Sequence, residues 1–196
     1  MFITFEGLDG SGKTTQARLL ADFLEGEGRK VVLTREPAGT PLGERIRDVL
    51  LHGEHLSPWA EAALFAAARA ELVQDVIRPA LEGGADVVCD RYLDSSLAYQ
   101  GIARGLGVDE VLELNLAVSD GLLPNRTFVL LVAPHDAAAR SSLAKDRIER
   151  ESGDFHATLD RAYRELAERF PERIVALDGS GPPEEIHARV REKLPR

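Results

Sequence analysis

The stretch Gly7-Leu8-Asp9-Gly10-Ser11-Gly12-Lys13-Thr14 constrains this chain more than any other. It has the form G-x-x-x-x-G-K-[ST]. It directly follows a short apolar run, Phe2 to Phe5. It opens the segment Thr14 to Leu24, where Ala17, Leu20, Ala21 and Leu24 recur at a helical period. Strand, glycine-rich turn and helix, in that order, are the context in which this pattern cradles phosphate. The glycines let the backbone wrap a phosphate with its N–H groups turned inward. The helix start adds the positive end of its dipole. Lys13 then reaches the β- and γ-phosphates, and the Thr14 hydroxyl ligates Mg²⁺. The loop establishes nucleoside triphosphate binding and nothing narrower.

The rest of the chain alternates short apolar runs with amphipathic ones. Strands are predicted at Val31–Thr34, Asp86–Cys89, Phe128–Val132 and Ile174–Leu177, in addition to the first. Helices are predicted at Leu42–Leu51, Val108–Val118, the later part of Ser141–Arg169, and from Pro182-Pro183 towards Leu194. Ser57-Pro58 reads as an N-cap with proline at the first helical position. The helix it opens runs towards Leu81 and breaks or kinks near Pro79. The fold class that follows is α/β: a three-layer P-loop NTPase fold with about five parallel strands and helices on both faces. The strands are apolar throughout, as doubly covered strands are. Ligands in such sheets bind beyond the carboxyl ends of the strands, which directs attention to residues just after Phe5, Thr34, Cys89, Val132 and Leu177.

At 196 residues the chain corresponds to roughly one domain, at ~150 residues per domain. Its 24 Lys+Arg against 33 Asp+Glu give a net charge of −9, which excludes the broad basic footprint of a nucleic-acid or membrane-surface binder. An anionic substrate then requires that the cations be gathered at one place. Cys89 is the only cysteine, so no intramolecular disulfide forms and a reducing compartment is expected. The start of the chain does not read as a signal peptide, and no apolar run approaches the ~20 residues of a membrane span. The expectation is a cytoplasmic protein.

The third strand ends in Asp90-Arg91-Tyr92. An Asp at this place in a P-loop protein holds Mg²⁺ or orients an attacking group, and Arg91 is placed to grip an anionic acceptor with its fork. A plain strand-end ion pair is the alternative. Arg35, Arg47 and Arg69 fall at further crevice positions. Phe65 and Arg69 lie four apart on one helix face, where ring and guanidinium could sandwich and bond a nucleobase. The bland alternative is a core phenylalanine beside a surface arginine. The run Arg140 to Arg150, with Lys145 and Arg147, is either a solvated face or a lid that brings cations to the phosphoryl group.

The residues quoted so far, taken with Thr34-Arg35-Glu36-Pro37, Leu64 to Arg69, Asp90 to Gly101 and Asp146-Arg147-Ile148-Glu149, make the chain resemble the thymidylate kinase family over almost its whole length. The resemblance implies one nucleoside monophosphate kinase domain over residues 1–196, with a short lid at about 140–152. It implies transfer of the γ-phosphoryl group of ATP, with Mg²⁺, to the phosphate of dTMP. Lys13, Asp9, Arg91 and Arg147 are then the catalytic set. Phe65 stacks on thymine, and Arg69, Ser96 and Gln100 line the base pocket. Tyr99 packs near the sugar and disfavours a 2′-hydroxyl. Asp9 meets the sugar 3′-hydroxyl, Arg47 and Arg91 hold the acceptor phosphate, and Glu36 sits near the metal. Thr14 and Asp90 are the metal residues. Gly10-Ser11 inside the loop places the chain with the bacterial members, whose basic residue lies in the lid. The resemblance also implies a homodimer packed through helices.

The chain departs from the family in three places. Ala38 stands where a glycine is common, at a cost of about 1 kcal/mol if that backbone has positive φ. Pro124-Asn125-Arg126-Thr127 opens the fourth strand, and Leu131 replaces a common polar residue. Cys89 reads as a buried strand residue, and His52 and His55 lack the further ligands a metal needs. A nucleotide-dependent switch and a kinase of a different small acceptor are the rival functions. Neither Asn115 nor Asn125 is followed by the lysine of a guanine-reading switch.

Overall fold

In this computed structural model, residues 1–140, 147, 148 and 150–195 are described. Strands β1 (Phe2–Gly7), β2 (Val31–Arg35), β3 (Asp86–Asp90), β4 (Arg126–Leu131) and β5 (Ile174–Asp178) form one sheet in the order β2-β3-β1-β4-β5. Every pairing is parallel. The helices are α1 (Lys13–Gly26), α2 (Pro41–His52), α3 (Pro58–Leu72), α4 (Arg78–Glu82), α5 (Leu93–Ser96), α6 (Val108–Val118), α7 (Pro134–Arg140), α8 (Gly153–Arg169) and α9 (Pro183–Glu192). β1 therefore lies mid-sheet with two strands on either side, and its carboxyl end opens at the centre of the molecule.

Local signals explain the starts. Thr40 caps α2 by accepting from the Gly43 amide at 3.0 Å, with Pro41 following it. Ser57 does the same for α3 and Ser152 for α8. The break expected near Pro79 begins earlier. α3 ends at Leu72, a π-helical turn spans Val73–Ile77, and α4 follows. Pro79 has no N–H and its ring crowds the carbonyl of residue 75, so the preceding turn widens to admit it.

Two faces of β1 do different work. Ile3 and Phe5 point to one side and pack with Leu20 and Leu24 of α1, Phe128, Leu177 and Val190. Phe2, Thr4 and Glu6 point to the other, following the two-residue period of a strand. That face is apolar only at Phe2. Thr4 bonds Thr127 at 2.8 Å, and Thr127 donates to Asp94, which Arg173 holds through both nitrogens at 2.6 and 2.7 Å. The sequence reading of uniformly apolar strands fails here, because Thr4 and Glu6 are fully buried polar residues satisfied by partners from distant segments.

Three elements had no sequence expectation. α5 continues into a second π-helical segment, Leu97–Ala103, and α7 follows β4. The expected Phe128–Val132 strand starts two residues earlier, at Arg126, and ends one residue earlier, at Leu131. Ala38 is buried but outside the left-handed region. The positive φ, 84°, belongs to Gly39, so the substitution carries no backbone penalty.

Candidate active site

A cleft of about 700 Å³ opens beyond the carboxyl ends of the strands, with Asp9, Lys13, Asp90, Arg91 and Tyr99 on its walls. Its donor half is the loop after β1. Gly7 has φ 135°, and a Cβ there would come within 2.5 Å of the Leu130 carbonyl, so only glycine lets the chain turn off the sheet. Gly12 has φ 96° and faces open space. Lys13 begins α1 and is only 6% exposed. Its Nζ donates to the Leu8 carbonyl at 2.8 Å and lies 3.6 Å from Asp9 Oδ1. Burial, and then the neighbouring Arg91, lower its proton affinity, while Asp9 and Asp90 oppose them.

Thr14 Oγ1 donates to Asp90 Oδ2. This hydroxyl and this carboxylate are the hard oxygen pair a Mg²⁺–triphosphate complex requires, since Mg²⁺ takes few protein ligands and completes its shell with phosphate oxygens and water. Among the described residues no group of three or more His, Cys, Asp or Glu could form a separate metal cage. The two sequence-derived metal residues therefore fit the ion.

Arg91 joins the two halves. Its backbone turns left-handed, φ 68°, directly after β3, and its amide donates to the Phe5 carbonyl at 2.9 Å. The side chain is thereby thrown back over the end of β1. Nη2 lies 2.5 Å from Asp9 Oδ1 and 3.5 Å from Tyr99 OH; Nη1 reaches Ser95 Oγ at 2.9 Å and Tyr163 OH at 3.3 Å. Burial alone raises the Asp9 carboxyl, but Arg91 and Lys13 outweigh it and hold the group well below the usual carboxylate range. Asp9 is thus an anion between two cations.

The acceptor half comes from β2, α2, α3 and the Leu97–Ala103 segment. Glu36, Arg47, Phe65, Ser96, Tyr99 and Gln100 all line the cleft. Arg35 does so as well, and Arg47 also donates to the Pro37 carbonyl at 3.4 Å. Arg69 is placed differently. The bland alternative for the Phe65–Arg69 pair is inverted: Phe65 reaches the cleft, and Arg69 is 1% exposed behind it. Arg69 Nε and Nη2 bond the Glu36 carboxylate at 2.9 and 2.5 Å, and Nη1 bonds Ser96 at 3.1 Å and also Asn115.

The expected lid residues are divided. Arg140 lines the cleft and donates to the Gly179 and Ser180 carbonyls at 3.0 and 3.2 Å. Arg147 instead docks on α2 and α3: Nε donates to the Leu50 carbonyl at 2.8 Å and Nη2 to Glu61 at 2.7 Å. Arg150 is exposed and engaged elsewhere. Lys145, Asp146 and Glu149 lie outside the described residues.

Three functional neighbours escaped the sequence. Glu6 accepts from the Tyr92 and Ser95 amides at 2.8 and 3.1 Å, from Ser95 Oγ at 2.5 Å and from Tyr163 OH at 3.3 Å. A charged residue inside a buried strand, one residue before the loop, was a usable signal. Tyr163 offered none, because it arrives from α8, 157 positions from Glu6. Glu61 lies four before Phe65 on the same helical face, so extending the Phe65–Arg69 spacing backwards would have found it.

Burial, then the Asp94 carboxylate, push Glu6 up to about 7, against the pull of Arg91 and the Ser95 and Tyr92 donors. Folding therefore takes up a proton at Glu6 between the ordinary carboxyl range and pH 7. The stability this contributes is fully present below pH about 4.5 and is lost as pH rises through about 7. Glu6→Gln is expected to flatten the fall in thermal midpoint between pH 5 and 8. Midpoints measured by circular dichroism check this, and an unchanged slope refutes it. Cys89, by contrast, is held protonated by burial and takes no part.

The comparisons with known proteins agree with this geometry. Residues 5–190 match the family model described as thymidylate kinase. A thymidylate kinase of Synechococcus sp. (strain JA-3-3Ab) is 50% identical over 190 residues, covering 97% of this chain and 93% of that protein. One from Leifsonia xyli subsp. xyli is 50% identical over 198 residues, covering 99% and 94%. The crystal structure of the thymidylate kinase from Ehrlichia chaffeensis superposes with a TM-score of 0.81 at 34% identity, covering 98% and 97% of the two chains.

Proposed function

The chain belongs to the thymidylate kinase family, and from that membership we propose how its cleft divides the labour of phosphorylating dTMP to dTDP with ATP and Mg²⁺. One observation carries the assignment. A phosphate loop, an anion–cation bridge between Asp9 and Arg91, and the aromatic side chains of Phe65 and Tyr99 border the same cleft.

The acceptor is already a phosphate oxygen anion, so no strong general base is required; catalysis is positioning and charge neutralisation. Gly7 to Thr14 cradle the ATP phosphates, and Lys13 neutralises the migrating group. Thr14 and Asp90 would hold Mg²⁺, which would screen the phosphate charge. Arg91 and Arg47 grip the dTMP phosphate. Asp9, ionised between Lys13 and Arg91, aligns donor and acceptor and meets the sugar 3′-hydroxyl. Glu36 closes the acceptor side near the metal. Phe65 stacks on thymine and Ser96 and Gln100 flank its edge. Arg69, expected in the base pocket, does not line the cleft but is buried behind it, bonded to Glu36, Ser96 and Asn115, so it acts by holding Glu36 and Ser96 in place. Tyr99 excludes a 2′-hydroxyl.

Residues 1–196 act as one nucleoside monophosphate kinase domain, with the segment around 140–152 as its lid and Arg147 as the lid cation. Its link to Glu61 is then one of two positions. Arg147→Ala is expected to lower kcat about 10²-fold with a smaller change in KM for dTMP; steady-state kinetics near wild type would remove Arg147 from the mechanism.

The partners are dTMP and ATP rather than nucleic acid or membrane, and a second copy of the chain. Leu42 and Val49 on α2 and Trp59 on α3, the last 50% exposed, support a helix-packed homodimer, which sedimentation equilibrium reads directly. No described helix is long and apolar enough to cross a membrane, and with the single buried thiol this supports a cytoplasmic enzyme. A coupled ADP-release assay with dTMP, dUMP, dCMP, UMP and thymidine tests the whole reading. Strong preference for dTMP is the expected result; thymidine as best acceptor would overturn it.

A further inference from the structure

Glu61 sits in the first turn of α3 with its side chain only 2% exposed. Its carboxylate is the meeting point of three donors. Gln100 Nε2 donates to Oε1 at 2.9 Å and Arg147 Nη2 to Oε2 at 2.7 Å. Arg104 reaches both oxygens at 3.4 Å, while itself stacked 4.7 Å over Phe155 and paired with Glu151 at 2.7 Å. Two guanidiniums and an amide around one buried carboxyl keep it ionised; burial works against this, but the donors outweigh it.

An ionised carboxylate only accepts. The two ends of the Gln100 amide are therefore not equivalent. Its NH₂ must face Glu61, which turns Oε1 the other way. Gln100 lines the cleft, and Oε1 has no protein partner among the described residues. That oxygen is a pure acceptor on a residue that lines the same cleft as Phe65.

We infer that Glu61 is a positioning residue that sets the hydrogen-bonding polarity of the base pocket: by holding Gln100 Nε2 it fixes Oε1 towards the base, so that the pocket admits pyrimidines with an N3–H and rejects those whose N3 is an acceptor. This rests on the reading above, in which Gln100 flanks the base. Thymine and uracil carry the imino N–H. Cytosine presents a lone pair at that position, so two acceptors would face each other with no proton between them. A site built to accept an N–H discriminates strongly against an analogue that lacks it, because its buried polar group is left unpaired.

The test compares dissociation constants for dTMP, dUMP and dCMP by calorimetry in wild type, Glu61→Gln and Glu61→Asp. A glutamine at 61 offers either amide end, so Gln100 is no longer locked. The dCMP:dTMP ratio of dissociation constants is expected to fall at least about tenfold, with dUMP:dTMP unchanged and Glu61→Asp close to wild type. A purely structural role for Glu61 would weaken all three nucleotides together, and that outcome, or an unchanged dCMP:dTMP ratio, overturns the inference. If Glu61→Gln does not fold, Gln100→Leu decides: it must lose the same discrimination, and retention of wild-type discrimination overturns the inference. Failure of the wild-type protein to bind dTMP would instead overturn the assignment of the cleft itself.

Discussion

Lys13→Ala is expected to lower kcat by more than about 10³-fold while dTMP binding changes by no more than about threefold. The asymmetry follows from where the ammonium sits. It is buried at the start of α1, held by the Leu8 carbonyl at 2.8 Å, and faces the donor side of the cleft. On the proposed assignment Arg91 and Arg47, which line the cleft, remain to hold the acceptor phosphate. The loop glycines still shape the cradle, so triphosphate binding weakens less than turnover. What disappears is the one cation of the loop itself, and neither Gly10 nor Ser11 can replace it. The carboxyl of Asp9 is also expected to rise, since Lys13 is one of the two cations holding it down. Single-turnover measurements with saturating ATP and dTMP check the expectation. A kcat within tenfold of wild type would show that phosphoryl transfer here does not depend on the loop lysine.

Arg91→Ala is expected to cost about 10³-fold in kcat/KM for dTMP, through both constants. The guanidinium contacts Asp9, Ser95, Tyr99 and Tyr163 at once, and its loss leaves Asp9 without its nearest partner. Position 91 also has a backbone demand, because a non-glycine residue at φ 68° carries a strain of about 1 kcal/mol. Comparing alanine with glycine separates the two effects. Glycine relieves the strain and restores nothing of the fork, so both variants are expected to lose activity alike. Recovery of activity in Arg91→Gly would assign the effect to the turn instead of the charge. Arg91→Lys keeps the charge without the fork and is expected to fall between them and wild type.

Much of this site was legible because its chemistry is local. The loop from Gly7 to Thr14 carries its own strand, turn and helix start, and Asp90 closes the apolar run Val87-Val88-Cys89 of β3 with Arg91 directly after it. What the sequence could not display is pairing across long separations. Glu6 looks like a strand residue until Tyr163 arrives from α8. Arg69 looks like a surface cation until Glu36 is found against it, 33 positions away. Periodicity cannot distinguish a solvated guanidinium from one neutralised inside, since both occupy the same helical phase. The π-helical segment from Leu97 to Ala103 escaped for another reason. It carries Tyr99, Gln100 and Gly101 in a register that matches neither a 3.6-residue nor a two-residue repeat. Arg147 sets a further limit: its position in the sequence marks it as a lid residue, while the observed contacts tie it to Glu61 and Leu50.

Gly7 pairs with Leu130 across the β1–β4 ladder, pressed too close for any side chain. The consequence concerns time more than space. The donor cradle cannot loosen without β1 leaving β4, and that ladder is at the middle of the sheet, so its amides open only when the whole sheet does. Apart from Arg35 and Glu36 at the end of β2, which is laddered to β3, the facing wall is held by side-chain packing of α2, α3 and the Leu97–Ala103 segment. Amide exchange should therefore divide the cleft into a slow half at Phe5, Glu6 and Gly7 and a fast half around Arg47 and Gln100. The two sides of the cleft are then expected to keep different clocks: the loop after β1 waits in place, and the facing wall around Arg47 and Gln100 is the part that opens first.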